Sequence, residues 1–348
     1  MHPLTSRCIK NSKRIPWGVV VHRSGLRSLS INPEPNPEAA IGNDTVGGVA
    51  GGKNAPYIRG PQTHFGFESV GVNEKEDRVR EVFENVADSY DAMNDVMSGG
   101  LHRYWKDRLL DASAVASMAQ AIRRQEPCEA PADGGEEERA GTLRILDVAG
   151  GTGDISFRFL EAAGCPERAR SSGEDSVSVT VCDINAEMLR VGEARARKKY
   201  GGSLITDSKA LSFVEGNAQD LHNFGDDSFD LYTIAFGLRN VTDVDKGLKE
   251  AYRVLKPGGR FMCLEFSQVA DPWLRQLYDG YSFAAIPKMG ELIANDRASY
   301  QYLVESIRKF SNQEELLARM DDAGFHLTKY TNLTGGIVAI HEGWKPVE

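Results

Sequence analysis

The residues most able to do chemistry begin with the run Arg144–Ile145–Leu146–Asp147–Val148–Ala149–Gly150–Gly151–Thr152–Gly153–Asp154. An apolar stretch enters a glycine-rich turn, and a helical pattern follows it. Glycines at such a turn let the backbone approach a ligand and adopt φ > 0, and the helix start supplies free N–H donors. The dinucleotide fingerprint is incomplete, because counting from Gly151 gives Gly151, Gly153 and then Ser156, so the third glycine is missing. Asp183 ends the next apolar run, Val179–Cys182, where a carboxylate accepts from ribose hydroxyls. Glycine turn and carboxylate together suit NAD as well as other nucleoside-bearing cofactors.

These groups need a scaffold that brings strand ends together. The pattern from residue 143 predicts strand 143–149, helix 153–163, strand 177–182, helix 186–199, strands 211–215 and 229–236, helix 244–255 and strand 259–266. Short apolar strands alternating with helices imply an α/β fold with a parallel sheet covered on both faces. Ahead of it, Lys75–Met97 reads helical with Val79, Val82, Phe83 and Val86 on one stripe, and Leu101–Leu110 continues with Trp105, Leu109 and Leu110. Both are candidate lid helices. Beyond the sheet come helices near 272–286, 297–309 and 312–323, then strands 325–331 and 337–342 joined through Gly335–Gly336. Stretches near 112–141, 165–176 and 200–209 are expected to be surface insertions in a single domain spanning 62–348.

Composition narrows the function classes. The 348 residues carry a net charge of −9, which disfavours a nucleic-acid surface. No run approaches the roughly 20 apolar residues of a membrane span. Residues 1–33 hold Arg7, Lys10, Lys13, Arg14, Arg23 and Arg27 and no acidic residue, as a mitochondrial transit peptide does. Residues 34–61 read as a disordered linker rich in Pro, Gly, Asn and Ala. Cys8, Cys128, Cys165, Cys182 and Cys263 are dispersed and the histidines lack ligand spacing, so no metal site is expected.

Several further segments sharpen the reading: Asp183–Met188, Asn217–Ala218 after the third strand, Phe236–Gly237–Leu238–Arg239–Asn240–Val241–Thr242, and Leu255–Lys256–Pro257–Gly258–Gly259. In these, and from Thr63–Phe67 to Gly335–His341, the chain resembles the ubiquinone and menaquinone C-methyltransferases. That resemblance implies a class I S-adenosylmethionine-dependent methyltransferase fold: Rossmann-like, with a mostly parallel seven-stranded sheet and an antiparallel C-terminal hairpin. It implies cofactor contacts at Gly151, Thr152, Asp183, Asn217 and Ala218, and catalytic roles for Arg239, Asn240 and Tyr90. Ala235 stands where bacterial relatives carry a serine contact and is left unassigned.

The acceptor implied is a ring carbon of 2-methoxy-6-polyprenyl-1,4-benzoquinol. A phenol like that of Tyr ionises only near pH 10 or so, so the site must favour phenolate. A guanidinium keeps its proton and is a poor base, so Arg239 is read as an electrostatic stabiliser with water taking the proton. Contact with the matrix side of the mitochondrial inner membrane, association with other subunits of a coenzyme Q biosynthesis complex and homodimerisation are expectations of the same origin. The aromatic run from Trp273 to Phe283 suits either ordinary packing or a polyprenyl groove. Two other classes compete: a nicotinamide dehydrogenase, against which the missing glycine and the terminal hairpin speak, and a non-catalytic methyltransferase-fold subunit.

Overall fold

The computed structural model describes residues 62–86, 94–95, 98–124, 141–168, 176–206, 210–269, 271–284, 286–294 and 297–347. The expected transit peptide, the linker, Tyr90 and residues 125–140 lie outside these.

Gln62–Phe65 (β1) and Glu68–Gly71 (β2) pair as an antiparallel hairpin that the sequence pattern did not announce. Helices Val72–Val86 (α1), Leu101–Ser113 (α2) and Val115–Arg123 (α3) precede the main sheet. The winding that follows is Leu143–Val148 (β3), Asp154–Ala162 (α4), Val177–Asp183 (β4), Ala186–Tyr200 (α5), Leu211–Glu215 (β5), Phe229–Ala235 (β6), Val244–Val254 (α6) and Leu255–Phe266 (β7). Helices Pro272–Ala284 (α7), Ile286–Ala294 (α8), Arg297–Lys309 (α9) and Gln313–Asp322 (α10) lead to His326–Leu333 (β8) and Val338–Trp344 (β9).

The seven strands lie in the order β5-β4-β3-β6-β7-β9-β8. Pairings from β5 to β7 are parallel, and β9 runs antiparallel to both β7 and β8. This is the seven-stranded, mostly parallel sheet with an antiparallel C-terminal hairpin that the motifs imply. Leu143, Ile145, Leu146 and Val148 of β3 are all buried, because helices cover both faces of a parallel sheet. One core packs Trp105, Leu109, Phe159 and Leu160 against Ile145 and Val179, and the other packs Leu248, Val254, Leu316 and Phe325 against Leu146 and Phe261. Local signals set the helix starts: Asn185 caps α5 by accepting from the N–H groups of Glu187 and Met188, and Asn312 with Glu315 forms a capping box on α10.

The stretches expected to be surface insertions include helix and buried side chains among the described residues. Residues 115–123, expected to belong to one, form α3, and Val115 and Ala119 are fully buried because an i, i+4 apolar pair presents one face to the core. Cys165, Tyr200 and Leu204, in the described parts of the other two stretches, are likewise buried.

Candidate active site

The order of strands reverses about β3, with β4 on one side and β6 on the other. Such a switch point opens a crevice at the carboxyl ends of the strands. The cleft here is lined by the segments after β3 (Ala149–Thr152), β4 (Asp183–Asn185), β5 (Gly216–Gln219) and β6 (Phe236, Gly237 and Asn240–Thr242), with α1 contributing Glu76, Val79, Arg80 and Phe83. The fold brings all five expected cofactor residues, Gly151, Thr152, Asp183, Asn217 and Ala218, to that lining.

At the β3 turn Gly151 takes φ 54°, and a Cβ added there would stand 3.1 Å from Met188 Cε and 3.9 Å from Asp183 Oδ2. The missing side chain leaves open backbone beside the carboxylate, a cradle that fits a nucleoside cofactor. Asp183 Oδ2 accepts from Gly151 N–H at 2.9 Å and Oδ1 from Asn185 N–H at 2.9 Å. The residue expected to meet a ribose therefore also ties the glycine turn to the start of α5. Burial pushes its carboxyl up to about 6, opposed by these backbone hydrogen bonds. Behind it, Asp147 accepts from the hydroxyls of Ser156 at 2.7 Å and Thr233 at 3.0 Å, and burial pushes it also up to about 6.

The β5 end is closed by α1. Glu76 accepts from Gln219 Nε2 at 2.9 Å and from Asn217 Nδ2 at 3.4 Å, and Lys75 donates to the carbonyl of Val241 at 3.2 Å. Burial lowers Lys75 to about 8. The expected lid helix thus holds both the β5 and β6 turns.

The β6 turn carries Leu238–Asn240 as a short 3₁₀ segment. Gly237 is required there by close approach, since a Cβ would lie 2.4 Å from Ala149 Cβ. Asn240 lines the cleft, but Arg239 is not among the lining residues. Its guanidinium is buried, pairs with Glu265 at 2.9 Å, donates to the carbonyl of Phe236 and lies 5.4 Å from the centroid of the Phe266 ring. Its Nε is buried without a hydrogen-bond partner among the described residues.

Sequence reasoning missed three side chains here. Glu265 is one. Tyr302 donates to Asn240 Oδ1 at 3.0 Å while stacking on Phe65 with ring centroids 4.1 Å apart. Burial pushes its phenol up to about 12, with Arg239 pulling in the opposite direction. Lys106, on α2, lines the cleft and pairs with Asp154. A lone Glu, Tyr or Lys on an amphipathic pattern carries no local sign of such a partner.

Among the described residues no cluster of His, Cys, Asp and Glu could hold a metal ion. A model of the ubiE/COQ5 methyltransferase family matches residues 71–345. The chain is 48% identical to the mitochondrial 2-methoxy-6-polyprenyl-1,4-benzoquinol methylase of Gallus gallus, over 86% of this chain and 92% of that protein. It is 51% identical to the ubiquinone/menaquinone biosynthesis C-methyltransferase UbiE of Sinorhizobium fredii, over 82% of this chain and 96% of that one. The human mitochondrial methylase of the same name is 48% identical over 82% and 85% of the two chains. With the motifs, the sheet and the cleft in agreement, the chain belongs to the ubiE/COQ5 methyltransferase family, the S-adenosylmethionine-dependent C-methyltransferases of ubiquinone biosynthesis.

Proposed function

We propose that this protein methylates a ring carbon of 2-methoxy-6-polyprenyl-1,4-benzoquinol, giving 5-methoxy-2-methyl-3-polyprenyl-1,4-benzoquinol. The observation that carries the proposal is the side-by-side placement of two sets of groups on one sheet edge. Asn217, Asp183 and the Gly151 turn line one part of the cleft, and Asn240 lines its β6 end. When bound, S-adenosylmethionine supplies an electrophilic methyl group on a sulfonium. The chain's own residues then have to orient the acceptor and exclude water.

Asn240 is the polar group that reaches the acceptor end directly. With its Oδ1 accepting from Tyr302, the amide N–H bonds are left to donate to a quinol oxygen. Arg239 is proposed to act on developing phenolate through its charge from behind the turn; at the Tyr302 phenol burial and Glu265 disfavour ionisation and Arg239 alone favours it. Tyr90 is proposed as a third acceptor-side group on the resemblance alone.

The placement of the enzyme is also a proposal: residues 1–33 as a mitochondrial transit peptide, with the mature protein on the matrix side of the inner membrane. Among the described residues no helix is long and apolar enough to cross a membrane. Trp273, at 78% exposure on α7, is proposed as a point of contact with lipid or with other subunits of a coenzyme Q complex. Homodimerisation belongs to the same set of proposals. The deciding experiment is methyl transfer from labelled S-adenosylmethionine to a short-tailed 2-methoxy-6-prenyl-1,4-benzoquinol. Label in the ring methyl supports the proposal, and cofactor binding without transfer to any such quinol refutes it.

A further inference from the structure

We infer that Lys106 is the counter-ion for the carboxylate at the amino-acid end of the bound cofactor. This rests on the cofactor placement proposed above and adds a residue outside the sheet-edge turns.

The sheet order gives the direction of the cleft. Passing from β5 to β4 to β3 meets Asn217 and Ala218, then Asp183, then the glycine turn. A cofactor with its adenine at Asn217–Ala218 and its ribose at Asp183 brings its amino-acid end to the β3 turn, where Asp154 and Lys106 stand. Two cations line the cleft among the described residues, Arg80 and Lys106. Arg80 is exposed on α1, and its carbonyl accepts from Asn185 at 3.3 Å, which places it by the ribose end. Lys106 is at the other end, with its side chain only 7% exposed.

An ammonium so far out of water must be well paired. Among the described residues Lys106 donates one hydrogen bond, to Asp154 Oδ2 at 2.8 Å. Asp154 is itself shared, because Oδ1 accepts from Arg158 Nε at 3.3 Å and Arg158 also pairs with Asp107. One carboxylate thus serves two cations, and two of the three N–H donors of Lys106 remain at the wall of the cleft. A carboxylate there would receive a charge-assisted hydrogen bond in a low-dielectric site.

Calorimetric titration with two nucleosides separates the ends of the site. S-adenosylhomocysteine carries the amino-acid group and 5′-methylthioadenosine lacks it. Lys106→Met should weaken S-adenosylhomocysteine by about tenfold or more and leave methylthioadenosine within about twofold, and Lys106→Arg should recover part of the loss. Because Lys106→Met leaves Asp154 short of a partner, Lys106→Met/Asp154→Asn is titrated as well and should show the same selective loss. Equal weakening of both nucleosides, or of neither, overturns the assignment. Failure of methylthioadenosine to bind the unaltered chain overturns the adenosine placement itself, a separate result.

Discussion

Arg239 Nη1 lies 2.9 Å from Glu265 Oε1 with the two side chains 4% and 1% exposed, and Glu265 also accepts from the backbone N–H groups of Arg239 and Phe266. One buried carboxylate therefore holds the β6 turn against the end of β7. Removing one partner of such a pair strands a charge at a cost of roughly 3–5 kcal/mol. Arg239→Met should lose stability on that scale, and Arg239→Met/Glu265→Gln should recover much of it, as read by denaturant unfolding. The double variant also tests the chemistry in a folded protein. Its kcat should fall by about a hundredfold with cofactor affinity unchanged, and raising the pH should restore part of the rate as phenolate forms unaided. Turnover at the unaltered rate would leave Arg239 a structural residue only.

Asp147 offers a pH test with a defined sign. Its folded pKa, about 6, lies above the ordinary aspartate value of 3.8, so the native state holds the proton more firmly. Its contribution to stability is fully present below about pH 4 and is lost as pH rises through about 6. Asp147→Asn should therefore stabilise the protein above pH 7 or so, by at most roughly 3 kcal/mol. The gain should shrink on acidification toward about pH 4. Melting curves across that range check it, and a gain that grows as pH falls would contradict the burial argument.

The glycine turn and Asp183 were legible because each follows directly on an apolar strand, and a strand end is a local pattern; Asn217 and Ala218 were marked by the family resemblance. The pairs that complete the site are of another kind. Tyr302 and Asn240 are 62 residues apart, Lys106 and Asp154 are 48 apart, and Arg239 and Glu265 are 26 apart. Only packing of α9, α2 and β7 around the sheet edge creates them, so no spacing rule points to them. The β1–β2 hairpin escaped notice because strands of four residues with mixed polarity show too little alternation to register. Helix α3 was hidden by the Gly-, Pro- and Glu-rich run that follows it, although Val115, Ala119 and Ile122 already mark a helical face.

Gly237 gives a steric prediction. Its φ of −111° suits any residue, so the constraint is the neighbour and not the backbone. A Cβ 2.4 Å from Ala149 Cβ, and 3.4 Å from Ile234 Cγ1, must drive the β3 and β6 turns apart. Gly237→Ala should cost about 1–3 kcal/mol and weaken cofactor binding. Adding Ala149→Gly removes the opposing methyl at a residue with φ 50°, which glycine adopts readily. The double variant should regain most of both losses in calorimetry and thermal melting, and no rescue would mean the damage arises elsewhere.

Tyr302 tests whether the orientation of Asn240 matters to the reaction. Its hydroxyl donates to Asn240 Oδ1, and its ring is stacked on Phe65 at an interplanar angle of 14°. Tyr302→Phe keeps the ring and the stack and removes only the donor. With Oδ1 freed, the Asn240 amide can rotate and present an acceptor where the quinol oxygen needs a donor, which loosens acceptor positioning without touching the adenosine end. The expected outcome is a fall in kcat/KM for the quinol of about tenfold, the worth of one hydrogen bond of about 1.4 kcal/mol. Affinity for S-adenosylhomocysteine should stay within about twofold, since Asp183 and Asn217 are undisturbed. Asn240→Ala should be at least as severe, and Tyr302→Phe added to it should do little more, because the two side chains act through one hydrogen bond. Fully additive losses in that cycle would show that Tyr302 works on the substrate independently of Asn240.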